Sequence, residues 1–167
     1  MMKFKEFYMN EKVDKKLYID MDGVLCDFEE QFYKLVGDEA NDYEKEHGEP
    51  EFWKAVGDHG EKFWSEMPWM SDGKELWNYV KKFNPTILST PSRDKRSETG
   101  KAKWVKRELG ANVPYIFIRA KEKYADSNSI LVDDLERKIR RWTTAGGIGV
   151  RHYKTKDTIR QLKKLGV

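Results

Sequence analysis

The 167-residue chain has a single cysteine, Cys26. No disulfide can form within it, which fits a reducing compartment. It has no apolar window long enough to span a membrane. Its first twenty residues, MMKFKEFYMNEKVDKKLYID, carry no apolar stretch of leader length. The expectation is a soluble, cytoplasmic protein with no membrane partner. The three histidines, His47, His59 and His152, lack the spacing of a zinc site. A phosphate-cradling GxxxxGK[ST] loop is missing too: Gly100-Lys101 is followed by Ala102, and Lys95 stands where the first glycine belongs. A cysteine-based phosphate site needs an arginine six positions after its cysteine, and that position is Phe32. Cys26 therefore reads as a small packed residue. Gly146-Gly147-Ile148-Gly149 does not complete a dinucleotide fingerprint and reads as a turn before the last strand.

Aliphatic side chains are also scarce. Hydrophobic residues make up 38% of the chain, yet aromatics reach 13%, with six Trp, eight Tyr and eight Phe. Rings must supply much of the core, and some are left to line a pocket. Charge is unevenly spread. Residues 37–66 hold ten Asp/Glu against three Lys/Arg, whereas residues 93–167 hold twenty Lys/Arg against nine Asp/Glu. Most of the basic half reads as solvated helix surface, but it can also attract phosphate-bearing partners.

Short apolar runs recur at 17–19, 86–88, 115–118, 130–132 and 148–150. Helical patterns fill most of the gaps. Ser71-Asp72-Gly73 can start a helix to Phe83 with Leu76, Tyr79, Val80 and Phe83 on one face. Ser97 opens a second, with Ala102, Val105 and Leu109 in register and Gly110 as its stop. Residues 135–145 and 157–165 give two more. Strands alternating with helices predict an α/β fold, a Rossmann-like parallel sheet with helices on both faces. Residues 28–70 lack a strand pattern and are rich in charge and rings. They read as a small, mostly helical cap inserted after the first strand, with the core formed by residues 1–27 and 71–167.

In open parallel sheets ligands bind beyond the carboxyl ends of the strands. Here those ends carry Asp20-Met21-Asp22, then Ser89-Thr90, then Asp133-Asp134, with Lys121 and Lys123 in the connection before the last pair. Each piece has a bland reading. Asp-Gly is a common turn, and Asp133-Asp134 could cap the next helix. In combination they suit a hard divalent cation bound by carboxylates, with hydroxyls and a lysine for a phosphoryl group. The matching reaction class is phosphoryl transfer.

DMDGV, a helical insertion, ILST, a lysine and then LVDD together resemble the haloacid dehalogenase superfamily of phosphatases, over about residues 16–155. A closer similarity is to the 5'(3')-deoxyribonucleotidases, whose first motif reads on as DMDGVLADFE; here it is DMDGVLCDFE. Their KxxWV helix has a counterpart in Lys101, Trp104 and Val105. The resemblance implies that Asp20 is a nucleophile forming an aspartyl-phosphate. Asp22 would protonate the leaving oxygen and then activate water. Asp20, the backbone carbonyl of Asp22 and Asp134 would hold Mg²⁺, with Asp133 in support. Ser89 and Thr90 would bind phosphate, with Lys101 as a further phosphate-site candidate. Lys123, ten residues before Asp133, has the family's spacing for a catalytic lysine and is preferred to Lys121. Phe28, Phe52 and Trp53 would line a base pocket, though the insertion's own core is an equal reading for Phe52 and Trp53.

The chain departs from the nucleotidases in two places. Leu135 follows the aspartate pair where they have Arg, and STP replaces their TSP. The expected activity is Mg²⁺-dependent hydrolysis of a small-molecule phosphate monoester, a (deoxy)nucleoside monophosphate. A 3'-end phosphatase acting on nucleic acid stays open, because Arg93, Lys95 and Arg96 could track a backbone, and so does a phosphatase of the same superfamily acting on another small phosphometabolite. A non-catalytic phosphate-binding module and a homodimeric assembly also stay open.

Overall fold

The computed structural model describes residues 15–167; the part of the expected core at 1–14 lies outside the described residues. The apolar runs form five short parallel strands: β1 (Lys16–Ile19), β2 (Thr86–Ser89), β3 (Tyr115–Phe117), β4 (Ser129–Asp133) and β5 (Ile148–Arg151). Their spatial order is β3-β2-β1-β4-β5. The chain first builds outward from β1 through β2 to β3, then returns to pair β4 on the other side of β1. That reversal makes the β1/β4 junction a topological switch point, where crossovers diverge and leave a crevice.

Helices cover both faces. Alternate residues of β1 point to opposite sides. Leu17 and Ile19 join Ile87, Ile130, Val132 and Val150 on one face. Over them pack α5 (Gly73–Val80), α6 (Arg96–Glu108) and α8 (Thr155–Lys164), through Leu76, Val80, Trp104, Val105 and Leu162. Tyr18, Leu88 and Leu131 form the other face under Trp142 of α7 (Glu136–Thr144). Trp104 and Trp142 are both fully buried, so each sheet face is sealed by an indole. This is how a chain with few aliphatic residues closes its core.

Between β1 and α5 lie four helices: α1 (Phe28–Val36), α2 (Ala40–His47), α3 (Glu49–Asp58) and α4 (Gly60–Ser65). Asp27 caps α1 by accepting from the Glu30 amide at 2.9 Å, and Gly37, at φ 88°, ends it. The chain enters and leaves this region through one narrow neck. Asp27 N donates to Pro68 O and Met70 N to Leu25 O, both at 2.8 Å, around an antiparallel bridge between Cys26 and Trp69. The insertion has no separate core. Phe32, Phe52, Phe63 and Trp64 belong to the same apolar cluster as the sheet face beneath α6. Buried polar groups are satisfied across the junction: Trp104 Nε1 donates to Met67 O at 2.8 Å and Gln31 Nε2 to Phe63 O at 3.0 Å.

Two local details differ from the sequence reading. The α-helix expected to reach Phe83 ends at Val80, and residues Lys81–Phe83 tighten into a 3-10 turn closed by Asn84 at φ 49°. Asp72 does not cap α5 with its side chain; the carboxylate accepts instead from Thr155 N at 2.8 Å, joining the starts of α5 and α8. No helix among the described residues is long and apolar enough to cross a membrane.

Candidate active site

The site grows from strand register. Ile19 pairs with Val132, and Asp20 N donates to Val132 O at 2.9 Å. One residue further, Asp20 leaves β1 alongside Asp133 at the end of β4, at the switch point. Asp20, Asp133 and Asp134 each present a carboxylate oxygen within 4.8 Å of the other two. Gly23 makes room for the third. Its φ is 75°, and a Cβ there would collide with the Asp134 carboxylate.

The lysine balancing this cluster is Lys121, not Lys123. Lys121 Nζ lies 2.7 Å from Asp20 Oδ1 and donates to Asp133 Oδ2 at 2.6 Å, with the residue only 2% exposed. Lys123 is exposed. Residues Lys121–Tyr124 form one turn of 3-10 helix, so positions two apart point in different directions. The ten-residue spacing selected the lysine on the solvent side of that turn. Burial works against the charge on Lys121, but Asp20 and Asp133 outweigh it and raise its pKa above the ordinary lysine value.

One ammonium does not balance three carboxylates. Burial, and then the Asp20 charge, push Asp133 up to about 6 against the pull of Lys121. Burial, then Asp20 and Asp133, push Asp134 up to about 7. Asp134 Oδ1 is buried without a hydrogen-bond partner, and Asp20 Oδ1 has only the 2.7 Å ion pair with Lys121. Both oxygens of Asp133 are taken, Oδ2 by Lys121 and Oδ1 by Leu135 N at 2.9 Å. Asp133 is thus fully engaged, while Asp20 and Asp134 keep acceptor capacity that a divalent cation could use. Neither Asp133 nor Asp134 caps α7, whose N-cap position is Leu135.

Asp22 turns away from this trio. Its Oδ2 meets Lys101 Nζ at 2.5 Å, and its Oδ1 accepts weakly from the Cys26 thiol at 3.6 Å. Burial above all, then the charge of Asp22, hold the Cys26 pKa well above its usual value, so the sulfur keeps its proton and donates. Lys101 was expected to meet phosphate. The structure commits its three N–H bonds instead to Asp22 Oδ2, Ser89 Oγ at 2.9 Å and Thr90 O at 3.0 Å, with the side chain fully buried over the Trp64 ring. Ser89 is likewise buried and engaged. Thr90 Oγ1 has no partner, and Thr90 lines both cavities at the site.

The first cavity, about 310 Å³, is lined by Asp20, Asp22, Thr90, Lys121, Asp133 and Asp134. An adjoining one of about 640 Å³ lies toward α3 and shares Asp22, Phe28, Thr90 and Arg137 with it. Phe28 thus sits between them. Trp53, 42% exposed, lines the larger cavity. Phe52 lines neither. It is 6% exposed and stacks on Phe32 at 4.8 Å, so the pocket role expected of it gives way to the core reading. The sequence reading did not single out Arg119 and Arg137, which also line the larger cavity. The basic composition of residues 93–167 was their only signal.

No protein-family model matches the chain, and no curated protein matches it in sequence. Solved structures do match in fold. A hydrolase from Streptococcus pneumoniae TIGR4 superposes with a TM-score of 0.56 at 14% identity, covering 90% of this chain and 99% of that one. A HAD-superfamily hydrolase of subfamily IA from Geobacter sulfurreducens gives 0.56 at 13% identity, covering 92% and 99%. A HAD-superfamily hydrolase from Ehrlichia chaffeensis gives 0.53 at 11% identity, covering 91% and 97%. The parallel five-stranded sheet flanked by helices is the HAD-type core fold of these structures.

Proposed function

We propose that the protein is a Mg²⁺-dependent phosphatase that releases phosphate from (deoxy)nucleoside monophosphates through an aspartyl-phosphate. The observation carrying this reading is the unbalanced cluster at the switch point, where two buried carboxylates and a partly buried third gather around the single ammonium of Lys121. A cation is the ordinary remedy for such an excess. The HAD-type fold agrees with the reading, and so does the second aspartate, Asp22, two residues after the first.

Asp20 is the nucleophile: its carboxylate attacks phosphorus, and the ester P–O bond breaks. Asp22 gives a proton to the leaving alkoxide, then takes one from the water that cleaves the acyl-phosphate and returns Asp20 to its carboxylate. Lys101 holds Asp22 in place through the 2.5 Å pair. Lys121 keeps Asp20 oriented, and the free hydroxyl of Thr90 donates to a phosphate oxygen. Asp20 and Asp134 would hold Mg²⁺, which when bound neutralises charge on the phosphoryl group. The helices of residues 28–70 act as a cap, in which Phe28 and the exposed indole of Trp53 offer faces for a base.

The test is a substrate panel with and without chelator: 5'-, 3'- and 2'-mononucleotides, ribo and deoxy, with an aryl phosphate as reference. Mononucleotide turnover that needs Mg²⁺ and vanishes in Asp20→Asn supports the reading. Undiminished activity in excess chelator overturns the mechanism, and turnover of sugar phosphates alone overturns the substrate class.

A further inference from the structure

The larger cavity carries more positive charge than a mononucleotide uses. Arg93 follows β2, Arg119 follows β3 and Arg137 lies in the first turn of α7, and all three, exposed to solvent, line this one cavity. All three belong to the strand-end side that holds Asp20 and Asp134. None has a carboxylate partner or a side-chain hydrogen bond among the described residues. Arg96, Arg107, Arg151 and Arg160 pair with Asp94, Glu108, Glu136 and Asp157, and the two other arginines without a partner among the described residues, Arg140 and Arg141, do not line the cavity.

The acidic groups of the same cavity do not neutralise them. Asp22 is held by Lys101, and Asp94 by a bidentate grip from Arg96, with Nε at 2.9 Å and Nη2 at 2.6 Å from the same oxygen and Nε at 3.1 Å from the other. Glu49 is the one unpaired carboxylate left against three arginines. Guanidinium groups collected without carboxylates favour phosphate oxygens, which they can bind two at a time. A volume of about 640 Å³ is large enough for a nucleoside with a further group attached.

Building on the phosphatase reading, we propose that the preferred substrate carries a second phosphate on its leaving group, seated in the cavity of Arg93, Arg119 and Arg137. The scissile phosphate then lies at Asp20, the nucleoside passes Phe28 and Trp53, and the second phosphate reaches the arginines. Two sources share this chemistry: a nucleoside 3',5'-bisphosphate, and the phosphodiester next to the terminal phosphate of a 3'-phosphorylated oligonucleotide. Arg137 lines both cavities, so Arg93 and Arg119 are the cleaner probes.

The experiment compares three ligands in Mg²⁺: a nucleoside monophosphate, the matching 3',5'-bisphosphate and a 3'-phosphorylated dinucleotide. Turnover is measured on the wild-type protein and on Arg93→Gln and Arg119→Gln. Calorimetric binding is measured on Asp20→Asn, alone and combined with each arginine change. The second phosphate should improve kcat/KM and affinity about tenfold, as charge-assisted hydrogen bonds do. Each arginine change should bring that ratio toward one, and so should added salt. A gain confined to the bisphosphate supports the proposal with a small-molecule source. A gain confined to the dinucleotide supports it with a nucleic-acid end as source. Equal affinities for all three ligands, or ratios untouched by both arginine changes, overturn it. If the binding ratio holds but no ligand is hydrolysed, the subsite stands and the phosphatase reading falls.

Discussion

Lys121 Nζ bridges Asp133 Oδ2 at 2.6 Å and Asp20 Oδ1 at 2.7 Å, so one buried ammonium ties the end of β4 to the end of β1. Removing it leaves buried carboxylates facing each other unrelieved. Lys121→Met is therefore expected to cost about 3 kcal/mol or more of stability in chelator and to lower phosphatase turnover about 100-fold or more. Lys123→Met, on the exposed side of the same turn, should change stability by less than about 0.5 kcal/mol. Urea titrations and aryl phosphate assays on the two variants decide between the lysines.

Lys101 Nζ has all three of its N–H bonds committed, to Asp22, Ser89 and Thr90, so on the proposed mechanism it positions Asp22. Lys101→Met should reduce kcat far more than it changes KM. Lys101→Arg should not restore the rate, since the larger planar guanidinium has no space at a fully buried position and cannot reproduce three radial bonds. A rise in KM at constant kcat would instead make Lys101 a substrate contact. Steady-state kinetics on both variants read the difference.

Much of this architecture was legible in the residues. All five apolar runs became strands, because short β-rich segments bounded by turns have few alternatives once helical segments separate them. Asp20, Asp133 and Asp134 could be placed because strand ends in a parallel sheet share one edge. Side-chain direction within short irregular turns was not legible. Lys121 and Lys123 differ only in which way a 3-10 turn points them. Phe52 and Trp53 are neighbours about 100° apart on one helix, and the packing of α3 on α1 determines which ring is buried. Lys101 carried a motif position but no sign that its partner would be an aspartate 79 residues away. The arginine group depends on two loops and the start of α7 meeting at one cavity, which no local pattern encodes.

Gly100 is where the inserted helices meet the core. A Cβ there would lie 2.5 Å from Glu61 O and 2.6 Å from Trp64 Cβ, so α4 and α6 touch backbone to backbone. Gly100→Ala would gain helix propensity on α6, yet the collision should dominate. The expected loss is about 1–3 kcal/mol by urea denaturation. Trp64 also stacks over Lys101, so the same change should lower turnover by disturbing the hold on Asp22.

Glu108 accepts from Trp69 Nε1 at 2.8 Å and from Arg107 Nε at 2.8 Å, linking α6 to the neck of the insertion. Burial alone would raise its pKa, but the Arg107 and Trp69 hydrogen bonds, with the nearby charges, lower it below 4.5. A carboxyl depressed in the fold adds stability above its unfolded value and loses it as pH falls through the folded value. Glu108→Gln keeps an acceptor for Trp69 but cannot titrate. The wild type should therefore be the more stable protein at pH 7, and the gap should close as pH falls below about 4. Urea midpoints across that range, on both proteins, measure the convergence.

Asp134 sets function against stability. It is partly buried, its Oδ1 is buried without a partner, and it sits beside two other acids. Without a cation it repels its neighbours; with one it would serve as a ligand. Asp134→Asn keeps the shape and removes the charge, so in chelator the variant should melt several degrees above the wild type. Added Mg²⁺ should raise the wild-type Tm in proportion to the logarithm of its concentration above the Kd and leave the variant unmoved. The stabilised variant should be inactive. Equal Mg²⁺ responses in the two proteins would mean that Asp134 is not a ligand. A variant less stable than the wild type in chelator would mean that the carboxylate is not the source of strain.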